Sequence, residues 1–216
     1  MQRLPAHLAR SSSTSRLTAI IVLCTGTLSC VSDSVELNSE RIARIFGNYH
    51  IEIIENNEDI RVSNLYSLEP TGAVCRTFAV VGLTDDVDAA FASEHAEILE
   101  GGSIGAVFRR NGWRIEKRHL YIGVMPIGRQ AVRLTRLMRI EPPVATAVHI
   151  YGLAISKNGR SFDYAMIAEV HHPDYLTIAV LWALYGSEYS GDKSHKDARP
   201  ILELVRAKFR DASYSG

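Results

Sequence analysis

Ala145-Thr146-Ala147-Val148-His149-Ile150-Tyr151-Gly152-Leu153-Ala154-Ile155-Ser156, Lys157-Asn158-Gly159-Arg160 and Ser161-Phe162-Asp163-Tyr164-Ala165-Met166-Ile167-Ala168-Glu169-Val170-His171 form the stretch that decides the fold. Two runs rich in apolar, β-branched and aromatic residues flank an Asn-Gly pair. That pair is the favoured centre of a type I′ turn, because both residues tolerate positive φ. The stretch predicts an antiparallel hairpin of residues 145–156 and 161–171. A two-residue loop sets His149 opposite Ala168, on the same face as His172 but well along the strand, while Glu169 and His171 share the other face.

Further strands and helices flank the hairpin on both sides in sequence. Residues 49–55 and 60–66 alternate like strands around Asn56-Asn57-Glu58-Asp59, a second hairpin. Residues 73–81 read as a third, buried strand. Alternation puts Cys75 with Thr77, Ala79 and Val81 and points Arg76 the other way. Residues 113–124 give another strand, on which His119 lines up with Trp113, Ile115 and Tyr121. A helix is expected over 38–47, with Ile42, Ile45 and Phe46 on one side and Gly47 as its stop. Residues 84–100 predict a helix with acids at its start and Gly101-Gly102 after it, its stripe formed by Val87, Phe91, His95 and Ile98. Ser103 opens a short helix that ends at Asn111-Gly112. Residues 129–140 fit a strand and a helix equally. Residues 174–185 are apolar almost all round, which predicts a buried helix. A polar loop over 186–196 leads to a terminal helix carrying Ile201, Leu202, Val205 and Phe209. Strands joined mainly by hairpins, with helices inserted and then collected at the C-terminal end, predict an α+β single domain: a mostly antiparallel sheet with helices packed on one side.

At 216 residues the chain is long enough for one sizeable core and short for two. Its 46% hydrophobic and 22% charged residues exclude a disordered or collagen-like chain and a polytopic membrane protein. A formal net charge of zero gives no reason to expect nucleic acid as the partner.

That neutrality is unevenly spread. Residues 1–29 contain Arg3, Arg10 and Arg16, no lysine and no acid. A Ser-rich basic stretch leads into Leu17-Thr18-Ala19-Ile20-Ile21-Val22-Leu23-Cys24 and then into small and polar residues. This order is that of a secretory signal peptide, with an apolar run too short to span a bilayer. Leu28-Ser29-Cys30 resembles the lipobox of bacterial lipoproteins, with Thr27 where a leucine is usual. The resemblance covers only the leader. It implies lipidation of Cys30, with palmitate as a label, and a membrane anchor on the periplasmic side of the cell envelope. A soluble secreted form and a mitochondrial presequence are the alternatives. The domain plan is then a signal peptide at 1–29, a short linker at 30–37 and one globular domain at 38–216. With Cys24 removed and Cys30 acylated, Cys75 is the only thiol left, and it reads as a small buried hydrophobe.

Glu169-Val170-His171-His172-Pro173-Asp174 is the densest group of chemistry-bearing residues. Imidazoles and carboxylates could act as acid and base or ligate a metal. The catalytic candidates are His171, His172, Glu169 and Asp174, and the metal candidates are His149, His171 and His172. The alternative is structural: His172 or Asp174 caps the following helix and Pro173 fills its first turn. Gly101-Gly102-Ser103-Ile104-Gly105 lacks the lysine and spacing of a phosphate loop and reads as a helix stop and start. His95 reads as a core histidine, and His50 and His195 sit in no motif. Arg129, Arg133, Arg136 and Arg139 read as a solvated face or as a patch for anionic headgroups. No motif requires a cofactor. The expectation is a lipid-anchored envelope protein acting as a binding or interaction module, with the membrane and an envelope protein or small ligand as partners. An envelope hydrolase or metal-binding enzyme is the alternative.

Overall fold

The computed structural model of the protein describes residues 36–189 and 192–210. Residues 1–35, with the expected leader, Cys30 and most of the expected linker, lie outside them, as does the side chain of His195. Helix α1 (Asn38–Phe46) precedes strands β1 (His50–Asn56), β2 (Ile60–Glu69) and β3 (Gly72–Leu83). Helices α2 (Ala92–Leu99) and α3 (Ile104–Arg110) follow, then β4 (Arg114–Ile127), α4 (Val132–Met138), β5 (Val144–Lys157) and β6 (Arg160–His171). Helix α5 (Ile178–Tyr185), a 3₁₀ turn (Gly186–Glu188) and α6 (Asp192–Arg210) complete the chain. Among the described residues no helix is long and apolar enough to cross a membrane.

The six strands form one antiparallel sheet in the order β1-β2-β3-β6-β5-β4. Two hairpin-built blocks therefore meet where β6 pairs with β3. The deciding hairpin turns at Asn158 (φ 53°) and Gly159 (φ 77°), as the Asn-Gly pair predicts. The segment 129–140 resolves as helix α4, because Leu134 and Met138, four apart, are both fully buried.

The α+β antiparallel architecture is as expected, but the helices cover both faces of the sheet. Helices α4 and α6 pack Leu134, Met138, Ile201, Val205 and Phe209 against Phe78, Val80, Val148, Ile150 and Val170. Helices α1 and α5 pack Ile42 and Leu181 over Ala79, Ala147 and Ile122 on the other face. Beside them, Phe91, Ile98, Val107 and Phe108 pack on Val81, Leu153, Ile155 and Ile167. Phe78/Ala79 and Val80/Val81 are sequence neighbours feeding opposite layers. A strand apolar on both faces needs a cover on each, and that is why one helical layer does not suffice.

Three helices differ in detail from expectation. Residues 84–91 form turns rather than helix: Asp88 Oδ1 accepts from the Ala90 amide at 2.8 Å, a local bond that competes with a helical start. The polar loop is shorter than expected, since α6 begins at Asp192. Helix α5 buries only Leu181 fully, while Val180, Trp182 and Leu184 are exposed. It lies as an outer layer with one side on the sheet, so its composition overstates its burial.

Four bulges reset strand alternation: one on β1, where Ile54 is the extra residue, and three that bear on the site. On β3 the pairing passes from Leu65–Thr77 to Tyr66–Cys75, with Arg76 as the extra residue. Cys75 therefore joins the layer of Phe78 and Val80, and the expected face shared with Thr77, Ala79 and Val81 does not form. Burial pushes the Cys75 thiol up, which keeps it inert. On β4 Leu120 is extra, so His119 faces with Ile115 and Tyr121 turns to the other layer. On β6 Tyr164 is extra, and there the site is decided.

Candidate functional site

From the turn, β5 and β6 pair as Lys157–Arg160, Ser156–Ser161 and Ala154–Asp163. Beyond the Tyr164 bulge the register moves by one, giving Leu153–Ala165 and His149–Glu169. The expected pairing of His149 with Ala168 is thus corrected. His149 turns to the face of Glu169 and His171, away from His172. The bulge is held by packing: the Tyr164 ring meets Phe108 at 4.6 Å, and its hydroxyl hydrogen-bonds His95 Nδ1 at 3.0 Å.

Four strands and α1 now converge on one buried polar group. Tyr151 OH donates to Glu169 Oε1 at 3.3 Å, and Asn38 Nδ2 donates to the same oxygen at 3.0 Å. Asn38 Nδ2 also reaches Thr77 Oγ1 at 3.1 Å, and Asn38 Oδ1 accepts from Tyr175 OH at 2.6 Å. Thr77 Oγ1 lies 3.0 Å from His171 Nδ1. His149 Nε2 lies 2.8 Å from His119 Nδ1, and His119 Nε2 is 3.1 Å from Glu188 Oε2. The Tyr185 ring stacks on both imidazoles at 4.6 Å.

Helix α1 serves this group at the expense of its apolar stripe. Its buried residues are Asn38, Arg41 and Ile42, whereas Ile45, expected inside, is 48% exposed. Arg41 Nη1 donates to Tyr185 OH at 2.9 Å and its Nε to Glu36 at 2.8 Å. The helix is rotated to aim polar atoms at the sheet.

One polar atom in the group is left over. His171 Nε2 is buried with no hydrogen-bond partner, 3.9 Å from Glu169 Oε2. An unsatisfied buried polar atom costs about 1–3 kcal/mol, so its retention asks for a reason. Burial, with the Arg41 and Lys117 charges nearby, pushes the His171 imidazole down to about 3, so it is neutral at neutral pH. Burial also holds His149 well below its ordinary value, with His171 and His119 adding to it, and burial lowers His119 against the pull of Glu188.

Beside the group opens a cavity of about 90 Å³ that shares Glu169, Tyr151 and Asn38 with it. Ala79, Val81, Ile167 and Leu153 give it an apolar floor, and Leu37, Ile51 and Ile104 line it further. Lys117 stands in its wall with Nζ 4.6 Å from the centre of the Tyr151 ring. Burial lowers the Lys117 ammonium, with Glu169 opposing. Arg61 also lines the cavity; it is fully buried, has no acid within ion-pair distance among the described residues, and donates to Ser63 Oγ and to the carbonyls of Ile98, Gly101 and Gly102. It closes the C-terminal end of α2, where a cation satisfies the last carbonyls. The Gly101 and Gly102 amides donate to the carbonyls of Ile98 and Glu97, at 3.0 and 2.9 Å, so they are spent on closing α2 and offer no phosphate cradle.

The remaining sequence candidates lie elsewhere. His172 faces α4: Nε2 donates to Met138 O at 3.0 Å, and Nδ1 accepts from the Asp174 amide at 3.0 Å. Both ring nitrogens are engaged, so His172 fixes a turn and offers no ligand atom. Asp174 is exposed outside the group, and the N-cap of α5 is Thr177. His95 is a core histidine on Tyr164, and His50 stacks on Tyr66. Arg129, Arg136 and Arg139 are exposed on and around α4, with Arg133 half-buried. Sequence reasoning missed Asn38, Thr77, Tyr151, Lys117 and Tyr185 as members of the group. For Thr77, Lys117 and Tyr151 the only signal was strand parity, readable once the bulges are known, and Asn38 and Tyr185, on helices, carried none.

Neither a protein-family model nor a curated protein matches the chain.

Proposed function

We propose that the protein is an exported, lipid-anchored module of the bacterial cell envelope that binds a small molecule in the cavity on its sheet face. The address rests on residues 1–30 and their lipobox-like end. The binding role rests on one observation: a cavity with an aliphatic floor that Lys117, Tyr151, Asn38 and Glu169 also line. Among the described residues Lys117 has no carboxylate within ion-pair distance, so an anionic head is the group that complements it. The ligand class that follows is a short-chain carboxylate, its acid at Lys117 and its chain on Val81 and Ile167.

Titration of the protein with acetate through hexanoate, followed by calorimetry or NMR, tests the pocket. Saturable binding that strengthens with chain length and drops at least tenfold in Lys117→Met is expected. No binding at millimolar concentrations, or binding indifferent to that substitution, removes the proposal. The anchor is tested separately by labelled palmitate, whose incorporation is expected to vanish in Cys30→Ala.

A hydrolase or metal enzyme built on Glu169, His171, His172 and Asp174 is the second reading. The placement of His172 and Asp174 does not favour it as drawn, whereas the meeting of Glu169 and His171 with His149 favours its metal-binding half.

A further inference from the structure

We infer that His149, Glu169 and His171 form a three-ligand site for a divalent first-row transition metal, with zinc or ferrous iron as the natural class. One ligand atom from each residue lies within 4.8 Å of the others, and all three residues are buried. The independent observation is His171 Nε2, fully buried, unpartnered and directed at Glu169.

The surroundings orient each ligand in the way metal sites require, by holding the atom that does not bind. His171 Nδ1 is held by Thr77 Oγ1, Glu169 Oε1 by Asn38 and Tyr151, and His149 Nε2 by His119. Glu188 extends the last of these into a carboxylate–histidine–histidine relay. The Thr77 hydroxyl has two lone pairs and takes N–H bonds from Asn38 and from the Nδ1–H tautomer of His171. That tautomer leaves the Nε2 lone pair free toward the cluster. The relay on His149 Nε2 leaves Nδ1 as the nitrogen for an ion.

The donor set decides the class of cation. Two neutral imidazoles and one carboxylate suit zinc and ferrous iron, whereas calcium and magnesium take oxygen shells. Three protein ligands leave a position open, the arrangement of catalytic rather than structural zinc. Glu169 lines the cavity as well, so the ligand set adjoins it. The two sites share Glu169, so the ion is titrated with no carboxylate present, which keeps the two outcomes distinguishable.

The test is a zinc titration of the EDTA-stripped full-length chain with inductively coupled plasma mass spectrometry, with cobalt substitution for a visible spectrum. One equivalent per chain and cobalt d–d bands are expected. His171→Ala and the near-isosteric Glu169→Gln are expected to weaken zinc binding by more than about 100-fold, beyond the 10–100-fold usual for an outer-shell partner. His172→Ala, its neighbour on the opposite face, is expected to bind as wild type. Circular dichroism establishes that each variant is folded, and Glu169→Gln carries the test if His171→Ala is not. Wild-type chain without a bound equivalent, or an equivalent kept in the folded variants, overturns the site whatever the carboxylate titration shows.

Discussion

At His171 a single imidazole couples the site to stability. In the fold it titrates near 3, whereas a histidine in the unfolded chain titrates near 6.5. Between those values the unfolded chain holds a proton that the folded one does not. Its stabilising effect is therefore complete above pH of about 6.5 and is lost as pH falls toward 3. The slope for one such group is about 1.4 kcal/mol per pH unit. His149 and His119, also held low by burial, act in the same direction. Urea midpoints measured at pH 7 and pH 5 are expected to fall in the wild type and to fall less in His171→Asn. Parallel falls would show that His171 is not the group responsible. The identities of Glu169 and His171 were legible as chemistry in the sequence. Asn38 and Thr77, which hold them, were not, because a first-turn asparagine and a strand threonine carry no mark of what they face.

Among the elements, the β5–β6 hairpin contributes most to the site and was read most fully. Its turn was evident because Asn158 and Gly159 adopt backbone angles that few other pairs accept. Gly159 sits at φ 77° in open space, so an added Cβ meets no neighbour and only the backbone preference is tested. Gly159→Ala is expected to destabilise the fold by about 1–2 kcal/mol in thermal or urea unfolding, with the site intact. An unchanged midpoint would mean that the turn relaxes out of the left-handed region. The bulge five residues further on left no such mark. Tyr164 is neither glycine nor proline, and alternation runs acceptably through it in either register. What selects the bulged register is the seat of its ring on Phe108 and its hydroxyl on His95, contacts made by α2 and α3. The same holds at Arg76, whose guanidinium lies over the Phe46 ring and bonds Ser67 and Glu69.

The described residues form one sheet between two apolar layers, with the polar group set on β3, β4, β5 and β6. Phe78 and Phe91 are fully buried, one in each layer. Truncating either to alanine is expected to cost about 3–5 kcal/mol, and each variant is expected to unfold in one transition, because both layers rest on the same strands. Calorimetry resolving two transitions would separate the layers. By itself the sequence determined the antiparallel α+β class, both hairpins and the helix and strand identities of most segments. Those properties follow from local preference: periodicity, turn residues and caps act within a few residues. Only the tertiary structure decided the second helical layer, the exposed side of α5 and the meeting of His149 with Glu169 and His171. Each depends on strand register or on which face a partner covers. A one-residue bulge reverses the facing of every later side chain at small local cost. Its choice is made by contacts from distant parts of the chain, and so it is not written in the stretch where it occurs.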